Sequence, residues 1–272
     1  MDPWVVAAFL ITIALEIAIP LFLGFFIAKK LKVSWKLFIL GLVFFIAVQV
    51  IHTPLVLLTQ GPLTAALRDL TSDPMLMLAV LALYLGILAG LFEEIGRYLV
   101  FRHYFTRKGI RHSRENALMF GAGWGGVESI IVGILLSLTL VSYLYAAIAL
   151  SSPGVVTSTT ESQQFALLLQ ITPADVLFGL AERIMTLTLQ IAFTLMVMYS
   201  VMRRTLLFLG LAVAWHAAVD AAAVYASQTI GIPATEGIIF LFFLAGIGFI
   251  YWVWPRMLSG SGNEPPAGAS PG

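Results

Sequence analysis

Hydrophobic residues run along this chain in long stretches with few polar interruptions. A helix that crosses the hydrocarbon core of a bilayer needs about 20 apolar residues in succession. The chain contains seven such stretches, at residues 4–28, 37–58, 75–101, 115–148, 174–202, 205–228 and 236–255. The pattern therefore predicts an all-α, polytopic membrane protein whose seven or so transmembrane helices form a bundle.

Two regions interrupt this pattern and determine the expected domain organisation. The segment 151–172 starts with polar residues and contains a proline and a glycine, which favours a loop. The fourth stretch is longer than a bilayer requires, so its helix is expected to end or bend before residue 148. Beyond Met257 the chain is rich in glycine, serine and proline, which is typical of disorder. We therefore expect a transmembrane domain at residues 1–257 and a disordered tail at residues 258–272.

The composition supports the membrane interpretation. Of the 272 residues, 60% are hydrophobic and only 11% are charged, whereas soluble domains are about 25% charged. A net charge of +1 gives no electrostatic reason to expect a nucleic-acid partner. The absence of cysteine excludes disulfides and thiolate metal sites. No basic residue precedes the first apolar stretch, so that stretch is expected to be a retained span rather than a signal peptide.

Lysine and arginine lie almost entirely in alternate loops. Twelve of the 15 basic residues follow the first, third, fifth or seventh stretch. Loops on the cytoplasmic side of a membrane carry the excess of basic residues. The charge pattern therefore predicts an integral protein of the plasma membrane with its N-terminus outside and its C-terminus in the cytoplasm.

Charged residues also occur inside the predicted spans. One of them near the centre of a helix costs about 2.5–3.5 kcal/mol on insertion scales. Such groups are therefore expected to face one another, or water, in an internal polar cavity. The residues concerned are Glu16, Glu93, Glu94, Arg97, Glu128, Glu182, Arg183, His216 and Asp220.

Helical spacing brings several of these residues onto common faces. Glu93 and Glu94 lie four and three positions before Arg97, so both can reach it on one side of a helix. His216 and Asp220 are also four positions apart. Alanines surround this second pair and allow another helix to approach closely.

The fourth span contributes a glycine-rich face. Gly121 and Gly125 form a small-xxx-small pair, and Glu128 follows on nearly the same stripe, which predicts that Glu128 lies in a helix–helix contact. In the fifth span, Glu182 and Arg183 diverge by about 100° around their helix, so they are not expected to serve the same partner. Arg183 is expected to be a counter-ion.

Each group also has a structural interpretation. The acids and arginine of the third span can form a salt bridge near the interface, where long side chains reach water. The His216–Asp220 pair can be a hydrogen bond between helices, and Glu128 can be a packing contact. Glu16 is the only charged residue in its span, and a structural or partner-facing role is expected for it.

The cluster contains the groups that acid–base chemistry requires. Burial and a neighbouring arginine act in opposite directions on a carboxyl group, so Glu93 and Glu94 can hold different protonation states. One can take a proton from water, while His216, oriented by Asp220, stabilises an oxyanion or helps to activate the water. No serine, lysine or cysteine nucleophile lies in an evident motif. No cofactor is predicted, although a divalent metal held by His216, Asp220 and the glutamates stays an alternative.

The order of these motifs resembles the YhfC family of intramembrane peptidases. The matching elements are Glu93-Glu94-Ile95-Gly96-Arg97, the glycine-rich segment ending in Glu128, Glu182-Arg183, and His216-x-x-x-Asp220. The resemblance extends over the order and number of the spans. The family is similar to the group that includes the CAAX prenyl endopeptidases, the bacteriocin-immunity (CPBP) proteins and PrsW.

The resemblance implies a membrane-embedded peptidase of the glutamic or metallo type, which acts on a membrane protein or peptide. On this analogy Glu93 or Glu94 activates water, and His216 with Asp220 stabilises the oxyanion. The expected catalytic set is Glu93, Glu94, Arg97, Glu128, Glu182, His216 and Asp220.

Two other functions stay open. Trp124 and Gln190 lie in neighbourhoods where the family pattern has histidines, and this departure keeps open a non-catalytic scaffold or immunity-type protein on the same fold. Buried acids and arginines also build the proton relays of ion-coupled carriers. The carrier is less favoured, because the sequence has no internal repeat and no pair of interrupted spans in matching halves.

Overall fold

The computed structural model describes residues 2–152 and 158–260, and this part of the chain is organised in helices. Seven of them are long and apolar enough to cross a membrane, which confirms the predicted all-α polytopic fold. The spanning helices are α1 (Pro3–Leu31), α2 (Trp35–Leu70), α3 (Pro74–Leu99), α4 (Arg114–Ser151), α6 (Pro173–Arg203), α7 (Leu207–Thr229) and α8 (Ile232–Val253), and a short α5 (Thr159–Leu168) lies between α4 and α6.

Polar residues between the apolar stretches determine where the helices begin. At the start of α3, the Asp73 carboxylate accepts a hydrogen bond from the backbone N–H of Met75 at 2.9 Å. At the start of α6, Thr172 and Asp175 each accept from the other's backbone N–H, at 3.2 and 2.9 Å. Both helices also have a proline in their first turn. These caps satisfy N–H groups that a helix leaves unpaired at its N-terminus.

The segment 151–172, which was predicted to be a loop, contains the ten-residue helix α5. Ser158 caps it by accepting a hydrogen bond from the backbone N–H of Glu161 at 3.1 Å, and Phe165 packs edge-on against Tyr145 of α4. The Ser-Thr-Thr-Glu sequence is a capping-box signature. The loop prediction was wrong here because it relied on the polar composition of the segment and overlooked this helix-start signature.

Helix α4 continues to Ser151, so the first of the two alternatives, an end before residue 148, was wrong, and a bend there stays a prediction. No proline or glycine occurs between residue 134 and Ser151, and nothing in that sequence stops a helix. At 38 residues the helix is about 57 Å long. It therefore extends well beyond the roughly 30 Å hydrocarbon core.

The chain after the last helix returns to the start of α4. The carbonyl oxygen of Leu258 accepts a hydrogen bond from the backbone N–H of Arg114 at 3.1 Å, and the backbone N–H of Gly260 donates to Glu115 at 2.9 Å. Residues 261–272 lie outside the described residues. The predicted disorder of the tail and the predicted domain boundary therefore stay predictions.

Helix α6 is the central helix of the bundle. It packs against α1, α3, α4, α7 and α8, and nearly every residue of its second half, from Leu187 to Ser200, is buried. Polar side chains in this buried half of the helix consequently point into the protein and not into lipid. Gln190 and Thr194 are two of them.

Small residues bring the helices that carry the charged groups close together. At Gly90 of α3, an added Cβ would lie 2.6 Å from the carbonyl oxygen of Val213 on α7. At Gly125 of α4, an added Cβ would lie 2.8 Å from the Cβ of Gln190 on α6. The contacts predicted from the alanines around His216 and from the glycine stripe of α4 are therefore confirmed.

Three residues after Arg97, at Val100, the chain leaves regular α-helical geometry. A π-helical segment, Val100–Phe105, continues α3. It directs Phe101 and Phe105 against Phe120 of α4, with ring centroids 4.9 and 5.8 Å apart. This aromatic contact fixes the end of α3 that carries the glutamates and the arginine.

Candidate active site

A buried arginine on α3 lies at the centre of the polar cluster. Arg97 is fully enclosed, and its guanidinium donates to Glu94 and, at 3.2 Å, to Glu93. A third hydrogen bond goes to the amide oxygen of Gln190 on α6. The indole of Trp124 on α4 packs against the guanidinium, whose carbon lies 4.5 Å from the ring centroid. The predicted meeting of both glutamates with Arg97 on one helix face is confirmed.

Glu93 is surrounded by hydrogen-bond donors. Besides Arg97, it accepts from the Trp124 indole at 3.0 Å and from the Gln49 amide on α2 at 3.1 Å. The Gln190 amide donates to it at 3.3 Å. Donors from four helices therefore occupy this carboxyl group, which suits it to holding the cluster together.

Glu94 pairs with His216 of α7. One carboxylate oxygen lies 2.6 Å from the histidine Nδ1, and both side chains are buried. Phe193 stacks on the imidazole with ring centroids 4.9 Å apart. Since a carboxylate only accepts, Nδ1 carries the proton and Nε2 is left for other chemistry. Nε2 faces Asp220 at 3.6 Å.

A second ion-pair group lies beside this pair. Arg183 on α6 donates to Glu128 on α4 at 3.0 Å and to its neighbour Glu182 at 2.7 Å. The Gln190 amide also donates to Glu128, at 2.8 Å. Gln190 therefore joins the two charged groups, since it contacts both Arg97 and Glu128.

An internal polar cavity of about 60 Å³ lies between these groups. A water molecule takes about 30 Å³ in the liquid, so the space holds about two waters. Its charged and polar lining residues are Glu128, Glu182, Arg183, Thr186, Gln190, His216 and Asp220. Glu93 and Glu94 do not line the cavity, and His216 connects their hydrogen-bonded cluster to it.

All seven residues of the expected catalytic set belong to one connected network of hydrogen bonds and ion pairs. Its members are Glu93, Glu94, Arg97, Glu128, Glu182, His216 and Asp220. One detail differs from expectation: Glu94, and not Asp220, is the hydrogen-bond partner of His216. Arg183 is a counter-ion, as expected, and it pairs with both Glu128 and its neighbour Glu182, because the long arginine side chain bridges the angle between neighbouring positions.

Glu16 lies apart from this network. It is buried on α1 and accepts a hydrogen bond from Ser129 of α4. The Ser129 hydroxyl also donates to the Glu16 backbone oxygen at 2.9 Å. The side chain therefore connects two helices, as its structural interpretation predicted.

Sequence reasoning missed several members of the cluster. Gln49 contacts Glu93 but carries no charge. Gln190 was noted only as a departure from the family pattern, and its link between the two charged groups was not predicted. An uncharged polar residue in an apolar span is a weaker signal of the same kind as a buried charge. Glu236 of α8 was also missed, because it lies at the edge of its predicted span, and its carboxyl group lies against that of Glu182.

The architecture defines a class of protein. A helical membrane bundle with a buried carboxylate–imidazole pair beside a water-sized polar cavity has the parts of a membrane-embedded hydrolase. The chain belongs to the YhfC family, because a sequence model of the family described as "YhfC intramembrane metalloprotease" matches residues 15–239. That description supports a protease that acts within the membrane.

A relative of similar length supports the same assignment. The chain is 29% identical over 247 residues to the "Uncharacterized membrane protein YhfC" of Bacillus subtilis (strain 168). The aligned region covers 88% of this chain and 92% of that protein. No solved structure matches the chain.

The family is described as a metalloprotease, so the potential ligand atoms of this site must be compared with those of known catalytic metal sites. Glu93, Glu94 and His216 offer ligand atoms within 4.8 Å of one another. However, Arg97 already donates to both carboxylates, and the His216 Nδ1 hydrogen is directed at Glu94. A divalent cation there would face the guanidinium charge and a single imidazole, whereas catalytic zinc sites such as His₂Glu supply three ligands free of such a competitor. In this arrangement the residues do not fit a catalytic metal.

Proposed function

We propose that this protein is an intramembrane endopeptidase that hydrolyses a peptide bond with water activated by the Glu94–His216 pair. The observation that carries the proposal is the 2.6 Å contact between Glu94 and the His216 Nδ1, together with the water-sized cavity that His216 lines. A carboxylate that fixes one imidazole nitrogen leaves the other as a general base. The activating glutamate then acts through the histidine and not on the water directly.

The reaction follows from this arrangement. The His216 Nε2 removes a proton from a water in the cavity, and the resulting hydroxide attacks the carbonyl carbon of the substrate. Asp220 borders the same space and accepts a hydrogen bond from the hydrogen that stays on the hydroxide. The imidazolium, stabilised by Glu94, then gives its proton to the leaving amine nitrogen as the C–N bond breaks.

Charge develops on the substrate oxygen during the attack. The guanidinium of Arg183 is the cationic group on the cavity wall, and the Gln190 amide is a neutral donor on the same helix. Donors fixed in a low-dielectric site stabilise an oxyanion more strongly than water does. We assign oxyanion stabilisation to Arg183, whereas the sequence favoured His216 with Asp220 for that role.

Arg97 and Glu93 support the pair. Arg97 donates to the same Glu94 oxygen that contacts His216, and Glu93 holds Arg97 in place. Both are positioning residues, because neither lines the cavity. Their buried hydrogen bonds keep the Glu94 carboxylate directed at the imidazole.

The non-catalytic scaffold has one observation in its favour. Trp124 and Gln190 both donate to Glu93, so the part of the cluster where the family pattern has histidines is filled by neutral donors. A scaffold requires only that the cluster hold helices together. It predicts that no variant of His216 alters the fate of any membrane protein.

The two functions are separated by a cleavage survey. Purified protein in vesicles is incubated with membrane-protein extract, and new peptide termini are identified by mass spectrometry, with and without a chelator. We expect new termini that are lost in His216→Ala but persist in Glu16→Gln. The same termini should form whether or not the chelator is present. Termini that vanish with chelator and return with zinc would show a metal mechanism. Identical termini for His216→Ala and the unaltered protein would favour the scaffold.

A further inference from the structure

A pocket of about 600 Å³ lies where α6 ends, α7 begins and the chain leaves α8. This volume is within the range of small-molecule sites, roughly 300–1,000 Å³. The side chains around this end pocket are aromatic, cationic or hydroxyl-bearing, and they belong to Tyr199, Arg203, Thr205, Phe208, Trp252 and Arg256. None of these residues lines the internal cavity, so the end pocket is separate from the candidate active site.

Three aromatic rings pack together in the end pocket and hold its two arginines. The Tyr199 ring centroid lies 4.8 Å from that of Phe208 and 6.0 Å from that of Trp252, and both contacts are edge-on. The guanidinium carbon of Arg203 lies 5.6 Å from the Tyr199 centroid. That of Arg256 lies 4.5 Å from the Trp252 centroid. The rings therefore place two cationic groups at the edge of one pocket.

Among the described residues, no carboxylate neutralises these two arginines. Arg256 donates to the Trp252 carbonyl oxygen, but neither it nor Arg203 forms an ion pair with an acid in residues 2–152 or 158–260. By contrast, Arg97 and Arg183 each pair with two carboxylates inside the bundle. Both arginines of the end pocket are exposed, and a guanidinium presents a fork of N–H donors that matches two phosphate oxygens.

The start of α7 strengthens the attraction for an anion. Thr205 and Phe208 of the end pocket flank Leu207, the first residue of this helix, and Leu206 supplies no side-chain cap. The N-terminus of a helix carries partial positive charge. This charge adds to that of the two guanidiniums.

Apolar surface adjoins the cationic side of the end pocket. A groove of about 800 Å³ lies at the last turns of α8 and shares Trp252 and Arg256 with the end pocket. The other residues that line this α8 groove are Ile247, Ile250, Tyr251, Trp254 and Pro255. Tryptophan and tyrosine are enriched at the depth of the lipid headgroups. A phosphate bound to the arginines consequently has apolar surface beside it, which favours a lipid over a soluble phosphate.

We infer that the end pocket binds the phosphate of an anionic phospholipid, with an acyl chain of the same lipid in the α8 groove. Basic pockets between membrane helices bind the headgroups of such lipids, and the predicted orientation places this end in the cytoplasmic leaflet, where anionic lipids accumulate. A zwitterionic lipid carries an ammonium group beside its phosphate, and the two guanidiniums repel it. The inference is independent of the proposed peptidase activity, because no residue of that reaction lines either surface.

Native mass spectrometry of the full-length protein in detergent tests the headgroup selectivity. The protein is titrated with phosphatidylglycerol, with phosphatidylcholine of the same acyl chains, and with glycerophosphoglycerol, which is the first headgroup without chains. We expect phosphatidylglycerol to bind about tenfold more tightly than phosphatidylcholine, the factor that one hydrogen bond to a charged group supplies. Equal affinity for the two lipids would overturn the inference. Glycerophosphoglycerol binding as tight as that of the lipid would also overturn it, because the ligand would then be a soluble phosphate.

Three arginine variants locate the site. Arg203→Gln and Arg256→Gln each remove one charge but keep a polar side chain, and each should abolish most of the preference for phosphatidylglycerol. Arg204→Gln is the matched control, since Arg204 is the exposed neighbour of Arg203 but does not line the end pocket. It removes the same charge and should keep the preference. An equal loss in all three variants would show a general attraction to basic residues and would reject the pocket.

A photoreactive phosphatidylglycerol tests the position of the acyl chain in vesicles. With a diazirine in one chain, adducts should concentrate in the α8 groove, at Ile247 and Ile250, and should decline in Arg256→Gln. Leu57 of α2 is the reference position, because its side chain is 73% exposed but lies on another helix. Adducts that are spread equally over the α8 groove and Leu57 would contradict a lipid bound at this site.

Discussion

At the scale of single residues, the buried acids have different surroundings despite their similar chemistry. Glu93 receives donors from four helices, whereas Glu94 is shared between Arg97 and His216. One oxygen of Glu94 is buried without a hydrogen-bond partner among the described residues. The surroundings suit Glu93 to holding helices together and Glu94 to a reaction that changes the charge of its partner.

The substitution Glu93→Gln tests this division. Glutamine brings an N–H₂ group against neighbours that already donate, so at least one buried donor loses its acceptor. We expect a loss of about 1–3 kcal/mol in the free energy of unfolding, measured by denaturation in detergent. Glu16→Gln should cost less, because a single serine hydroxyl donates to that side chain. An unchanged midpoint for Glu93→Gln would show that its hydrogen bonds do not hold the bundle.

At the scale of helices, close contact between α3 and α7 positions the Glu94–His216 pair. Gly90 lies against Val213 and Ala217, one turn before and directly after His216 on α7. Glycine is needed there because any side chain would meet the backbone of the other helix. The distance between Glu94 and the imidazole therefore depends on a residue outside the site.

Gly90→Ala is expected to separate the two helices. The new methyl would lie 2.6 Å from the Val213 carbonyl oxygen, and such overpacking typically costs about 1–3 kcal/mol. We also expect slower cleavage, because α7 carries His216 away from Glu94. Gly248→Ala on α8 is the control, since a Cβ there meets nothing within 4 Å. If Gly90→Ala and Gly248→Ala had the same unfolding midpoint and the same cleavage rate, the α3–α7 contact at Gly90 would be unimportant for the site.

The sequence predicted the parts of the site that depend on one helix. Four-residue spacing placed Glu93 with Arg97, and the cost of a buried charge required partners for each acid. It did not predict that His216 meets Glu94, because that contact depends on how α3 and α7 are rotated against each other. It also missed Gln49, which donates to Glu93, since an uncharged residue raises the insertion cost too little to attract attention.

At the scale of the whole molecule, the fold follows from apolar length, and the orientation is a separate prediction from charge. The seven spans agree with the hydrophobic pattern. Twelve of the 15 basic residues lie at or beyond the C-terminal ends of α1, α3, α6 and α8. Cytoplasmic placement of these loops would put α5 on the outer side.

Cysteine labelling tests the orientation, and the absence of native cysteine leaves no background. Lys108→Cys and Ser270→Cys should react with an impermeant reagent only after cell lysis, because both follow cytoplasmic helix ends in this topology. Ser158→Cys should react in intact cells. Lys108 is exposed and suits the assay, whereas the nearby Ser113 is buried. Labelling of Lys108→Cys in intact cells would reverse the predicted topology.

The central claim is that Glu94 and His216 act as one catalytic unit. The most direct measurement compares cleavage rates of one identified membrane substrate by the unaltered protein, Glu94→Gln, His216→Ala and the double variant. Each single variant should lose about 10²–10⁴-fold in rate, and the double variant should be little slower than either, because groups that act together lose their effect together. Losses that multiply in the double variant, or activity that survives His216→Ala, would contradict the account.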